Sequence, residues 1–371
     1  MKFTADAAGL GNALNMVTRA IPARAAKPIM ESVLVEAQDG QVVLTCTDGT
    51  FSIQSSIEAR VEEDGRMALQ GRFFADMIRK LPGGDVSVST KGSELAQIRC
   101  GGVRTSMMGK DPMEFPEMAE VTDGQKVTLP QNLLRNMISR VSFAVAMDET
   151  RQILTGILME IKNGEMRLVA LVGFRLALQS AGVETTLPAD GSLTRRICPG
   201  KVMSELSRIL TDEESACEIS FDEKHMAIRF GGTLLSTVLM SGQYIDYERI
   251  MPKSFATSIK LDRSQLSSAI DFASLYAREA KNNLVKMRIE DNMIGISSNA
   301  ELGDFHQDLS IFQDGPGLQI AFNAKYVTDV LRAVSDDEIC MRFNANIHPC
   351  IIGPVEGEGY QYLILPVRVF E

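Results

Sequence analysis

The chain has 371 residues, a hydrophobic fraction of 45% and a net charge of −10. That length and apolar content allow two or three domains, each with its own core, and no run of about 18 apolar residues is present to span a membrane. The N-terminus MKFTADAAGL lacks the long apolar stretch of a signal peptide, so a cytoplasmic protein with six reduced, mostly buried cysteines is expected.

A short alternating strand at Phe3 leads into apolar spacing at Leu10, Leu14 and Val17, which predicts a helix over 7–19. Ser32–Ala37 and Gln41–Thr47 flank Asp39–Gly40, a two-residue hairpin signal, and Phe51–Ala59 and Arg66–Ala68 read as further strands. A second helix over 72–81 stops at Leu81–Pro82–Gly83–Gly84, and Val86–Thr90 leads to a closing hairpin around Lys91–Gly92. The order then repeats. Pro130 is expected near the first helical position of 131–141, Asn163–Gly164 joins Gly156–Ile161 to Glu165–Ala170, and a helix over 201–210 ends at Thr211–Glu214. A third round has Asp262 as N-cap of 263–273 and a helix over 325–334 that ends at Ser335–Glu338. The two acidic turns suggest a rim facing solvent.

The rounds align without gaps. FTADAAGLGNALNMV from Phe3, VTLPQNLLRNMISRV from Val127 and IKLDRSQLSSAIDFA from Ile259 share one pattern; RFFADMIRKL from Arg72, KVMSELSRIL from Lys201 and KYVTDVLRAV from Lys325 share another. A repeat of roughly 125 residues is a whole domain rather than a solenoid unit. Boundaries are expected near Glu117–Gln125 and Met251–Ala256, giving domains over 1–120, 126–250 and 256–371.

Charge follows the repeats. The six helical segments hold eleven Lys and Arg against four Asp and Glu, a net of +7, which leaves −17 on the rest of the chain. Either long cations decorate exposed helix faces, or one shared face meets a polyanion. The three histidines and six cysteines show no metal-ligand spacing, and there is no P-loop, nucleophile elbow or G-x-G-x-x-G. No cofactor, metal or catalytic centre is expected. Two segments stand out: the apolar C-terminal run Tyr362–Val369, and Leu171–Leu176, where a glycine, an aromatic and a lone arginine suggest a bend exposing apolar side chains.

The MKFT opening, TCTDG at Thr45, RKLPGGDVSV at Arg79, EFP at Glu114, DYERIMPK at Asp246, FNAKYVTDVL at Phe322 and the LPVRV ending resemble the bacterial sliding clamp family, the beta subunit of DNA polymerase III holoenzyme. The resemblance covers the full length. It implies an α+β fold: three tandem clamp-type domains, each with two helices on antiparallel sheets, the protomer forming half a ring that a second copy closes head to tail. It implies duplex DNA held topologically and without sequence preference, with Arg24, Arg72, Arg79, Lys201 and Arg208 as contacts.

By the same resemblance the ring contact falls on Arg104, Thr105 and Met107 of one copy and Leu275 and Tyr276 of the other. A hydrophobic pocket for short peptides of the polymerase III alpha subunit, the clamp loader and other clamp-binding-motif proteins falls on Leu154, Leu171, Gly173, Phe174, Arg175, Leu176, Ile245, Arg249, Ile250, Leu363, Leu365, Pro366, Val367, Arg368 and Val369. The family usually has Thr-Asp-Gly-His-Arg where this chain has Leu171–Arg175, and an aromatic at Thr105. These departures imply a greasier, narrower pocket with altered peptide preference and a looser ring contact, and they leave open whether this is the main clamp or a divergent second copy. Two other readings stay open: an enzyme with a nucleotide site between repeats, and a peptide-binding adaptor that no longer encircles DNA.

Overall fold

A computed structural model describes residues 1–92, 94–119, 121, 124–147, 149–280 and 283–368. Six helices appear in pairs, one pair per repeat: α1 (Ala7–Val17) and α2 (Gly71–Arg79), α3 (Gln131–Ser142) and α4 (Gly200–Ile209), α5 (Arg263–Glu279) and α6 (Ala324–Ala333). The first helix of each pair buries the expected spacing: Leu10, Leu14 and Val17 in α1, Leu134, Ile138 and Val141 in α3, Leu266, Ile270 and Ala273 in α5. Fully burying a leucine contributes about 1.5–3 kcal/mol.

The chain packs into two compact units. One comprises Met1–Arg135, Glu184–Leu187 and Glu205–Leu239, the other Asn136–Val183, Pro188–Ser204 and Met240–Glu371. The first holds a fourteen-stranded sheet, the second a nine-stranded and a four-stranded sheet. Every ladder among the described residues is antiparallel. In each unit one ladder joins strands of different repeats: Phe51–Glu58 pairs with Thr233–Val238, and Arg175–Gly182 pairs with Tyr360–Ile364. Main-chain hydrogen bonding across repeats is why the packing units are fewer than the repeats.

Turn chemistry fixes the register. Asp39–Gly40 and Asn163–Gly164 all have positive φ, as a type I′ hairpin turn demands. The third repeat uses Asp291–Asn292 at the same place, with φ of 52° and 60°.

Two local expectations are corrected. Helix α5 runs to Glu279 because Ala277 continues the buried stripe. Pro130 lies next to the first helical position, as the last residue of the strand Gln125–Pro130, where it pairs with Ala216 directly before α3. The turns after the second helices also do more than face water, since each accepts a main-chain N–H at the start of its repeat's first helix. Gly84 O takes Ala7 N at 2.9 Å, Ser215 O takes Gln131 N at 3.0 Å, and Asp337 O takes Arg263 N at 2.8 Å. Those amides have no partner within the helix itself. Asp6 and Asp262 add side-chain caps, each accepting from an amide at 2.8 Å. Pro130 occupies the matching place in α3 and offers no such acceptor; there the Gln131 side chain bonds Ser215 Oγ at 2.6 Å and helps hold the turn.

All six cysteines are buried and free. Burial pushes the Cys198 and Cys217 thiols up to about 12, which leaves them poor nucleophiles.

Candidate functional site

In the second unit, strand Glu165–Val172 turns through Gly173–Phe174 into Arg175–Gly182. Gly173 has φ 55° at the first central position, the glycine place of a type II′ turn. Phe174 is carried outward at the tip with 57% of its surface exposed. The C-terminal strand Tyr360–Ile364 lies alongside. Its extension is fixed by Leu365 N donating to Phe174 O and Val367 N donating to Ala321 O, both at 2.8 Å.

Strand alternation sorts the side chains. Leu171, Leu176 and Leu363 share one face with Leu154, Leu158, Leu178, Tyr244 and Tyr247 in a single apolar cluster, with Leu365 partly buried against it. Around this floor stand Phe174, Ile245, Ile250 and Val367, all exposed. Pro366 is half-buried and Arg368 exposed. Arg249 is 85% exposed and holds Asp246 at 2.7 Å. Thus Leu154, Leu171, Leu176 and Leu363 of the carried-over residues share one apolar cluster with Leu365 packed against it, and Phe174, Ile245, Ile250 and Val367 are exposed; Val369 lies outside the described residues. A cavity of about 590 Å³ lies beside Tyr247 and Leu178, but none of the carried-over residues lines it.

Arg175 is the correction here. It alternates with Leu176, so its guanidinium turns to the opposite face. There it pairs with Asp329 of α6 and lies over the rings of Tyr326 (4.9 Å) and Phe143 (5.7 Å). It braces the turn from behind and is not a cation of the apolar floor.

Of the expected contact between copies, Val103–Met108 pairs with Leu95–Cys100, and among the described residues the other side of its strand pairs only at Gly109 and Lys110. The segment Val103–Met108 is therefore an open edge. Arg104 and Met108 are exposed, whereas Met107 is buried at 7% because it alternates onto the core side. Met107 can offer only its backbone to a partner. Thr105, on the same side, is half-buried.

On α5, Leu275 is exposed, Phe305 stacks on Phe272 at 5.4 Å, and Tyr276 stacks on Phe305 at 6.3 Å. Phe305 belongs to Gly303–Ser310, the outermost strand of the four-stranded sheet. Sequence reasoning missed this second open edge. Its only sequence cue is the polar alternation Asp304, His306, Asp308.

The expected DNA contacts are exposed. In the first unit, Arg72 donates to Ile21 O at 3.3 Å, and Arg24 sits on the loop just beyond. Arg19 and Arg208 share Glu205, at 3.0 and 2.7 Å. One carboxylate thus ties the end of α1 to α4. Arg79 pairs with Asp76 at 3.0 Å. Lys201 is exposed in the second unit. The exposed Arg79–Asp76 pair contributes about 0–1 kcal/mol, so its arginine can exchange a carboxylate for a phosphate, whereas Glu205 is only 18% exposed. Among the described residues no cluster of His, Cys, Asp and Glu is placed to hold a metal ion.

Comparison with known proteins covers the whole chain. Residues 1–119 match the N-terminal domain of the DNA polymerase III beta subunit, 128–246 its central domain and 248–368 its C-terminal domain. The beta sliding clamps of Staphylococcus epidermidis and Staphylococcus aureus are each 32% identical over the full length of both chains. The crystal structure of the DNA polymerase sliding clamp from Bacillus subtilis superposes with a TM-score of 0.95 at 32% identity, again covering both chains completely. Repeats, paired helices, antiparallel sheets and full-length similarity agree: this chain belongs to the bacterial beta sliding clamp family, the beta subunit of DNA polymerase III.

Proposed function

We propose that this chain is a DNA sliding clamp, a processivity factor of three clamp domains over 1–120, 126–250 and 256–371. Two copies join head to tail, enclose duplex DNA and tether replication proteins without catalysing a reaction or holding a cofactor. The observation that carries the reading is the pair of unlike open strand edges. Val103–Met108, with Arg99 beside Arg104 across the ladder, is cationic. Gly303–Ser310, with Asp304 and Asp308, is acidic. Such edges suit a heterologous contact in which each copy gives one and receives the other. The exposed Phe272 and Leu275 beside the acidic edge supply apolar area.

Enclosure needs no tight grip. Arg24, Arg72, Arg79, Lys201 and Arg208 then make weak, sequence-independent phosphate contacts that let the ring slide. The apolar depression takes peptide segments of the polymerase III alpha subunit, the clamp loader and other clamp-binding-motif proteins. Leu171 and Phe174 shift its preference toward apolar anchors. The cytoplasm is the proposed compartment.

The test is topological. Loaded on nicked circular DNA by its loader, the protein should co-elute with the circle as a dimer and be released when the circle is cut. Peptide binding without retention on circles sinks the clamp reading in favour of an adaptor.

A further inference from the structure

We infer that Glu160, acting through Tyr247, is the positioning group that sets the outer wall of the apolar depression; this rests on the reading of that depression as a peptide site. The wall is the segment that carries Ile245, Arg249 and Ile250. Its one regular element is the three-residue 3-10 turn Tyr247–Arg249. Inside it, Ile250 N donates to Tyr247 O at 3.1 Å. A single turn of this kind does not hold its own shape in water, so the wall depends on what anchors it.

Tertiary hydrogen bonds do this. Met240 N donates to Ile197 O at 2.9 Å before the segment. Tyr244 Oη donates to Gly156 O at 3.4 Å. The strongest is Tyr247 Oη donating to Glu160 Oε2 at 2.6 Å, within the range of a charge-assisted bond.

Glu160 is the single charged residue buried among the described residues. It lies mid-strand in Gly156–Lys162, where every residue but the terminal Lys162 is buried, with 3% of its own side chain exposed. Its other oxygen takes Arg195 Nε at 2.7 Å. A buried carboxylate is tolerated only while its lone pairs are filled. Moving the Tyr247 turn away would strip one donor from this charge, so the wall is held by a penalty on leaving as well as by contacts. Burial, and after it the bond to Glu160, pushes the Tyr247 hydroxyl up and keeps it a donor.

Repeat one shows the contrast. Glu36 and Arg66 stand where Glu160 and Arg195 stand in repeat two. Its 3-10 turn, Pro112–Glu114, has no tyrosine, and Arg66 Nη2 instead reaches Met113 Sδ at 2.8 Å. Between these two turns, the tyrosine anchor belongs to the one bordering the apolar depression.

The experiment uses the full chain with Tyr247→Phe and Glu160→Gln. The probe is a fluorescent synthetic peptide carrying two leucines and a terminal phenylalanine, and amide hydrogen exchange is read in parallel. Tyr247→Phe should weaken the peptide five- to tenfold and speed exchange over 245–251 while leaving the rest of the chain unchanged. Glu160→Gln keeps an oxygen for the tyrosine but removes the charge, so it should weaken the peptide two- to fivefold, less than Tyr247→Phe, and an affinity equal to that of the unsubstituted chain would remove Glu160 from its assigned role. Unchanged affinity in Tyr247→Phe, or unchanged exchange over 245–251, overturns the inference. Failure of the unsubstituted chain to bind overturns the peptide-site reading instead, and the exchange rates still decide the anchor.

Discussion

The ladder that joins repeats one and two and the ladder that joins repeats two and three are the same backbone joint with opposite chemistry. In the first, Val238 N donates to Thr50 O at 2.9 Å; in the second, Leu365 N donates to Phe174 O at 2.8 Å. Ser52 pairs with Ser236 in the first as Leu176 pairs with Leu363 in the second. The side chains at matching positions are Thr47, Ser52 and Ser236 against Leu171, Leu176 and Leu363.

The first set satisfies itself. Ser52 Oγ donates to Thr47 Oγ1 at 2.8 Å, Thr47 Oγ1 donates to Phe51 O at 3.1 Å, and Ser236 Oγ donates to Ala119 O at 2.6 Å. Its turn is closed by Asp48, whose Oδ1 accepts from Thr50 N, Thr50 Oγ1 and Phe51 N at 2.8–3.0 Å. The second set has no hydroxyls to satisfy and leaves Phe174 exposed over a leucine floor. An exposed apolar surface over an apolar floor is what a peptide anchor can use. The two joints differ in that three hydroxyl side chains in the first stand where the second has three leucines.

The largest effect should come from Arg175, which stands where the first joint has the fully buried Phe51. Arg175→Ala strands Asp329, whose side chain is only 21% exposed. Losing a partner from a buried pair costs about 3–5 kcal/mol, and discounting for the residual exposure gives about 2–4 kcal/mol here. Urea unfolding, followed by tyrosine fluorescence since the chain has no tryptophan, should show that loss. Adding Asp329→Asn should recover part of it. A change below about 0.5 kcal/mol would mean the second joint does not need its brace.

That brace also marks where the sequence stops being readable. Helix faces and the turns at Asp39–Gly40 and Asn163–Gly164 were legible because each depends on residues within a few positions of one another. The Asp291–Asn292 turn was not, since it lacks the glycine that usually marks positive φ. The end of α5 was hidden because alanine at 277 is a weak apolar signal. Strand pairing between repeats, the side on which Arg175 falls, the burial of Met107 and the Tyr247–Glu160 bond all depend on partners far along the chain. Local periodicity says nothing about these. The family resemblance named a set of pocket residues, Arg175 among them, without saying which face the guanidinium takes.

A smaller effect is expected at the first joint. Asp48→Ala removes the acceptor for three hydrogen bonds at a solvent-exposed turn. Each net bond contributes about 0.5–1.5 kcal/mol and water replaces part of the loss, so about 1–2 kcal/mol of stability should go. Peptide affinity should not move. A drop in affinity would show that the two joints are energetically coupled, and the contrast between them would then no longer be a contrast of independent sites.

The smallest effect separates floor from rim. Phe174→Thr gives the second joint the residue that tips the first. Phe174 is more than half exposed, so stability should stay within about 0.5 kcal/mol. Peptide affinity should fall by about 1 kcal/mol, roughly fivefold, the loss of one aromatic contact at a rim. The reciprocal change, Thr50→Phe, should create no binding, because beneath it lie Thr47, Ser52 and Ser236 with their hydroxyls already engaged. An aromatic needs an apolar floor before it can serve as a lip. If Thr50→Phe alone conferred peptide binding, the three leucines would lose their assigned role, and the tip residue would be the only difference that matters between the joints.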